Sequence, residues 1–274
     1  MRLFLLSSIL ATLSIPLHAG LPSIDKYKQD LHIYTDFNNY TSSYPVDMSS
    51  NAFRVEYNGV PPTVSGMYGR AFSIGGANSY ALIPFCTPPG GGGCQNTPGI
   101  NLTQKNITIA MLVKIKYEGD VDTEIFSFQR FDGNPAVTVK YGQSAKHASF
   151  RRKVCFSYNA YTKATNSEFQ IDNSSAIDPR KWTLLTVVFN SSNPTATEIH
   201  VYANGKKNQS PTSTSVRGTI LDQANAIKVL GGGGVWSGQG TFDIDFLAVW
   251  LRVLSEGEIS QMWSDIVGDD YDDE

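Results

Sequence analysis

The chain has 274 residues, of which 41% are apolar, 17% are charged and 24 are glycine. That charge content is too low for a helical bundle or a disordered chain, and the length leaves ample material for a buried core. A formal charge of −3, from 22 Lys and Arg against 25 Asp and Glu, argues against a nucleic-acid binder and against a polybasic membrane tether. The acidity is uneven, because the last six residues read DDYDDE and leave a nearly neutral body behind them.

Taken in chain order, residues 1–19 read MRLFLLSSILATLSIPLHA, one positive charge ahead of an apolar stretch that ends in a small residue. This is the pattern of a signal peptide, cleaved before Gly20. Ser7, Ser8, Thr12, Ser14 and Pro16 interrupt the stretch, and it is shorter than the ~20 residues a span requires. No later segment is apolar enough to span, so the mature chain is expected to be secreted and extracellular.

Short runs rich in Val, Ile, Phe and Tyr, bounded by Gly, Pro, Asn or Ser, then predict strands at 31–37, 71–74 and 80–85. Residues 107–117, ITIAMLVKIKY, alternate with Lys114 and Lys116 on the second face, which predicts a half-buried antiparallel strand. Residues 182–189, WTLLTVVF, are apolar on both faces and predict a central strand, with Trp182 in the core. Residues 199–203 run into Asn204-Gly205, a hairpin signal because both turn positions tolerate positive φ. Helix signals are confined to the end. Ser255-Glu256-Gly257-Glu258 has capping-box spacing, and Ile259, Met262 and Trp263 follow at helical spacing. With no repeat and no linker, residues 20–265 are expected to form one domain and 266–274 an acidic disordered tail.

The secretory route sets further expectations. Six Asn-x-Ser/Thr sites, at Asn39, Asn101, Asn106, Asn173, Asn190 and Asn208, are expected N-glycosylation positions. Cys86 and Cys94 bracket TPPGGGG, a segment without a core of its own, and an oxidising compartment favours a disulfide-closed loop there. Cys155 is left over, either as a buried thiol in its strand or as a partner for another chain. The four histidines do not cluster, and no Cys/His spacing suggests zinc. Tyr271, between two acidic pairs in a secreted tail, is a candidate for sulfation.

Four blocks in order resemble the laminin G-like domains of the concanavalin A-like lectin and glucanase superfamily. They are GRAFSIGGANSYALIP at 69–84, residues 106–128, KWTLLTVVFNSSNPTATEIHVYANGK at 181–206, and GTFDIDFLAVWLRVLSEGEISQMW at 240–263. The resemblance implies an all-β, two-sheet antiparallel jelly-roll sandwich with one short C-terminal helix, a fold that hosts lectins, hydrolases and adhesion modules alike. In many relatives an early Asp and a late Asp hold calcium, which would be Asp47 and Asp245 here. The resemblance departs at Ser50, where a Gly is usual, and at Phe246, where a Glu is usual.

Three classes of function fit such a fold. Hydrolases of this superfamily carry paired acids two and four or five residues apart on one strand. Here Asp243 and Asp245 are followed by Leu247 and Ala248, so no catalytic residue is expected and a glycoside hydrolase is the distant alternative. A lectin needs a flat aromatic with polar neighbours. Trp236, in GGGGVWSGQG, is the first candidate, and Tyr158, Asn159 and Tyr161 are the second. The expected function is therefore non-enzymatic recognition of a glycan or extracellular-matrix ligand, with a protein-binding adhesion or immune-recognition module as the alternative.

Overall fold

The computed structural model describes residues 24–268 except 39, 42–43, 46, 52–55, 59–62, 75–79, 85–105, 117–122, 130–134, 143–152, 160–165, 172–179, 194–195, 208–225 and 231–240. A 3-10 turn, Ile24–Tyr27, precedes β1 (Leu31–Thr35), β2 (Tyr40–Thr41), β3 (Tyr44–Pro45), β4 (Glu56–Asn58), β5 (Thr63–Ser65), β6 (Arg70–Ile74), β7 (Tyr80–Pro84) and β8 (Ile107–Ile115). There follow β9 (Thr123–Gln129), β10 (Pro135–Gly142), β11 (Lys153–Asn159), β12 (Asn166–Ile171), β13 (Thr183–Asn193), β14 (Ala196–Ala203), β15 (Lys206–Lys207), β16 (Ala226–Leu230), β17 (Phe242–Trp250) and α1 (Glu256–Val267).

Two large antiparallel sheets result. One has the order β15-β14-β13-β8-β17-β6-β5, with β1 also pairing to β17, and the other runs β12-β11-β10-β9-β16-β7-β4. Some neighbours are consecutive hairpins, as in β9-β10-β11-β12, but others are far apart in sequence, as β8 lies between β13 and β17. This is the crossing pattern of a jelly roll rather than a meander.

The central strands of the sheet containing β8 are buried on both faces. Ile107, Ile109, Met111, Val113 and Ile115 lie on one side and are inaccessible. That side requires a second apolar layer, and in the seven-stranded sheet Phe126, Val139 and Tyr141 are inaccessible as well. Ala110 and Leu112, on the other side, join Leu184, Val188, Tyr202, Phe246, Ala248 and Trp250 beneath Ile259, Met262 and Ile266 of α1. The expected half-buried β8 is therefore wrong for most of its length. Along that second face only Lys114 is partly exposed.

Local signals place α1. Ser255 is its N-cap and Glu258 completes the capping box, and Arg252 grips the Glu258 carboxylate through both terminal nitrogens, at 3.1 and 2.7 Å. The Tyr27 hydroxyl donates to Asp265 near the other end of the helix (3.1 Å), and the Trp250 indole donates to the Tyr27 carbonyl (2.7 Å). Asn204 and Gly205 take the expected left-handed turn, with φ of 51° and 73°. A Cβ on Gly205 would stand 2.9 Å from Ser260 Cα, so the glycine also lets the helix approach the hairpin.

Candidate functional site

Two groups of polar side chains lie on or beside the helix-bearing face of the eight-stranded sheet. The first is a buried junction of acids. β17 carries a bulge: Ile244 pairs with Val113 and Phe246 with Leu112, so Asp245 has no partner on β8. A bulge of this kind re-aims a side chain, and the Asp245 carboxylate, 1% exposed, accepts from the Tyr68 amide at 2.9 Å. A Cβ at Gly66 would collide with Asp245 Oδ2, so only glycine lets the β5–β6 turn close over the acid. Burial drives the Asp245 carboxyl up to about 6, against the pull of the Tyr68 and Met67 amides and with help from the Asp36 charge. Asn38 ties the same turn down, donating to the Tyr68 carbonyl (2.9 Å) and accepting from the Arg70 amide (2.7 Å). Burial, then Asp245, push the Tyr68 hydroxyl up to about 12.

Asp47 serves another turn. Its carboxylate accepts from the Tyr34 amide (2.8 Å), the Ser49 amide (2.9 Å) and the Ser49 hydroxyl (2.7 Å). Burial lowers the pKa of neighbouring His32, with the Asp47 charge opposing it. The carboxylate that acts on Asp245 is thus Asp36, which the sequence reading missed. Its nearness to Asp245 follows from β1 lying antiparallel to β17, with Thr35 opposite Leu247. Among the described residues no three His, Cys, Asp or Glu side chains form a metal-binding group.

The second group is a row across four strands. Register places Ser73 opposite Asp243 and Asp243 opposite Lys114. Thr183 pairs with Val113, which puts Trp182 beside Lys114. The Lys114 ammonium lies over the Trp182 ring, 5.9 Å from its centroid. Lys116, just past the end of β8, forms an ion pair with Asp243 (2.6 Å) and donates to the Ser73 hydroxyl (3.1 Å). Trp182 was expected in the core, but it is only partly buried, packed at the edge of the cluster beneath α1.

Among the ligand candidates from sequence, Trp236 and Tyr161 lie outside the described residues. Tyr158 and Asn159 stand at the end of β11, opposite Ser167 and Asn166 of β12. Cys86, Cys94 and Tyr271 also lie outside, as do residues 1–19 and the sequons at Asn39, Asn101, Asn173 and Asn208. Asn106 and Asn190 are described and partly exposed. The Asn106 amide donates to the hydroxyl of Ser192 (3.4 Å), the residue that completes the Asn190 sequon. None of the described helices is long and apolar enough to cross a membrane.

These features define a laminin G-like jelly roll. A family model described as concanavalin A-like lectin/glucanases superfamily matches residues 89–260, and the chain belongs to that family. No curated protein matches the sequence. Among solved structures, the binding domain of Paraclostridial Mosquitocidal Protein 1 is similar, with a TM-score of 0.60 at 14% identity, covering 86% of this chain and 52% of that one. The botulinum neurotoxin serotype D ligand binding domain in complex with N-acetylneuraminic acid is similar as well, with a TM-score of 0.61 at 12% identity, covering 86% of this chain and 51% of that one. The chain therefore spans about half the length of these neighbours, and at such identity the likeness is one of fold.

Proposed function

We propose that this chain is a secreted, non-enzymatic binding module that recognises a glycan or an extracellular-matrix ligand. The carrying observation is the match of residues 89–260 to the concanavalin A-like lectin/glucanases superfamily, a fold in which binding modules are common. Similar folds include toxin binding domains, one of them in complex with an acidic sugar, which supports the same reading. Hydrolysis is disfavoured by the engagement of the two strand acids. Asp243 is paired with Lys116 and Asp245 with turn amides, whereas glycoside cleavage uses two carboxylates facing one bond.

A glycan array run beside a cell-surface protein screen tests the proposal, each with calcium and with chelator. Retention on glycans supports it. Retention on proteins alone replaces it with the adhesion alternative. Product formed from a polysaccharide overturns both.

A cation at the acid junction is a second proposal, favoured by the neighbouring buried carboxylates Asp36 and Asp245. Calcium takes six to eight oxygens, so most would be backbone carbonyls. Asp245 is the ligand retained from the sequence reading, while the Asp47 carboxylate already accepts three hydrogen bonds from Tyr34 and Ser49. A rise in melting temperature when calcium is added to the chelator-treated chain, absent in Asp245→Asn, supports the site. An unchanged melt removes it.

A further inference from the structure

Two of the expected glycosylation sequons meet at one end of the eight-stranded sheet. Phe189 of β13 pairs with Ile107 of β8, so the next step along the same register brings Asn190 beside Asn106. The Asn106 amide donates to the Ser192 hydroxyl (3.4 Å), and the Ser192 backbone amide donates to the Asn190 side-chain oxygen (3.1 Å). A sequon is defined by two groups, the asparagine amide and the hydroxyl two residues on. In the folded chain the two hydroxyls differ sharply. Ser192 is exposed, where the β13–β14 register slips between Asn190 and Asn193. Thr108, which completes the Asn106 sequon, is wholly buried. Its hydroxyl donates to the Arg252 carbonyl (2.8 Å) and accepts from the Leu254 amide (3.0 Å). Those partners stand in the link between β17 and α1, 144 and 146 residues later in the chain. The hydroxyl is therefore covered only when that late segment docks.

We propose that Asn106 accepts an N-linked glycan only before the β17–α1 link docks, whereas Asn190 accepts one from the folded chain as well. The donor is an oligosaccharide carried on a lipid diphosphate. The bond from its anomeric carbon to the diphosphate breaks, a bond from that carbon to the asparagine Nδ2 forms, the amide gives up one proton, and the lipid diphosphate leaves. Reaching Thr108 after folding costs both of its hydrogen bonds and the burial of Leu254 in the cluster beneath α1. Reaching Ser192 needs only the end of a hairpin to fray. The inference rests on the secretory reading above and adds an order in time to two of its sites.

The test compares two preparations of the full chain. One is translated into microsomes. The other is folded without sugars and then given a solubilised oligosaccharyltransferase with its lipid-linked donor. Enzymatic release of the glycans in heavy-oxygen water marks each occupied asparagine as aspartate, which peptide mass spectrometry reads. Asn190 is expected to be occupied in both preparations. Asn106 should be occupied in the first and lower by about tenfold or more in the second, as the opening of two buried hydrogen bonds requires. Equal occupancy of Asn106 in the two, its absence from both, or a bare Asn190 in the folded chain overturns the inference while leaving secretion standing. A chain that never enters the microsomes overturns the inference and the secretory reading together.

Discussion

At Gly205, backbone strain and crowding fall on the same residue. Its φ is 73°, so alanine there bears a conformational cost of about 1 kcal/mol. A methyl would also lie 2.9 Å from Ser260 Cα and 3.1 Å from Trp263 Cβ. These are a backbone atom and the root of a side chain, so the helix itself must shift, at a further cost of about 1–3 kcal/mol. Gly205→Ala should therefore lose about 2–4 kcal/mol in total. For a domain of this size that is a fall in Tm of roughly 5–15 °C. Thermal unfolding followed by far-UV circular dichroism reads it. A loss of only about 1 kcal/mol, the backbone cost alone, would refute the close approach of α1 to the hairpin.

Three other outcomes follow from the same contacts. Hydrogen bonding to Arg252 lowers the Glu258 carboxyl to about 2. Because the folded value is depressed, its stabilisation is complete above about pH 4.5 and is lost as pH falls towards 2. Glu258→Gln should flatten that acid limb in a pH series of melts, and an unchanged limb would count against the pair. Trp250→Phe removes the donor to the Tyr27 carbonyl and leaves a small void, costing about 2–4 kcal/mol in urea unfolding; a loss below 1 kcal/mol would contradict its central place. Gly66→Ala forces the β5–β6 turn away from Asp245 and should destabilise by more than about 2 kcal/mol, measured in the same way. A neutral result would mean that the turn does not close over the acid.

What was legible in the sequence was chiefly local. The capping box at Ser255 and the Asn-Gly turn are encoded within four residues each, and both formed as expected. Alternation located β8 and a run apolar on both faces located β13, but neither could count the layers above them. Lys114 and Lys116 made the second face of β8 look solvated, because the helix that covers Ala110 and Leu112 lies some 150 residues later in the chain. The bulge at Asp245 was hidden for a related reason. Strict alternation does not reveal the residue at which a strand slips against its neighbour, and that slip decides which way the acid points. Trp182 read as core because it opens an apolar run, and only the β8–β13 register shows Lys114 beside it. Asp36, in TDFNN, carried no signal at all until β1 was placed against β17.

The central claim is that this fold binds a sugar and leaves it intact. The most direct measurement is a saturating binding isotherm for the best glycan from the array, followed by mass spectrometry of the recovered ligand. Saturation with one site per chain and an unaltered ligand mass is the predicted result. A ligand cleaved with the addition of water, or no saturation with any glycan, would contradict the account.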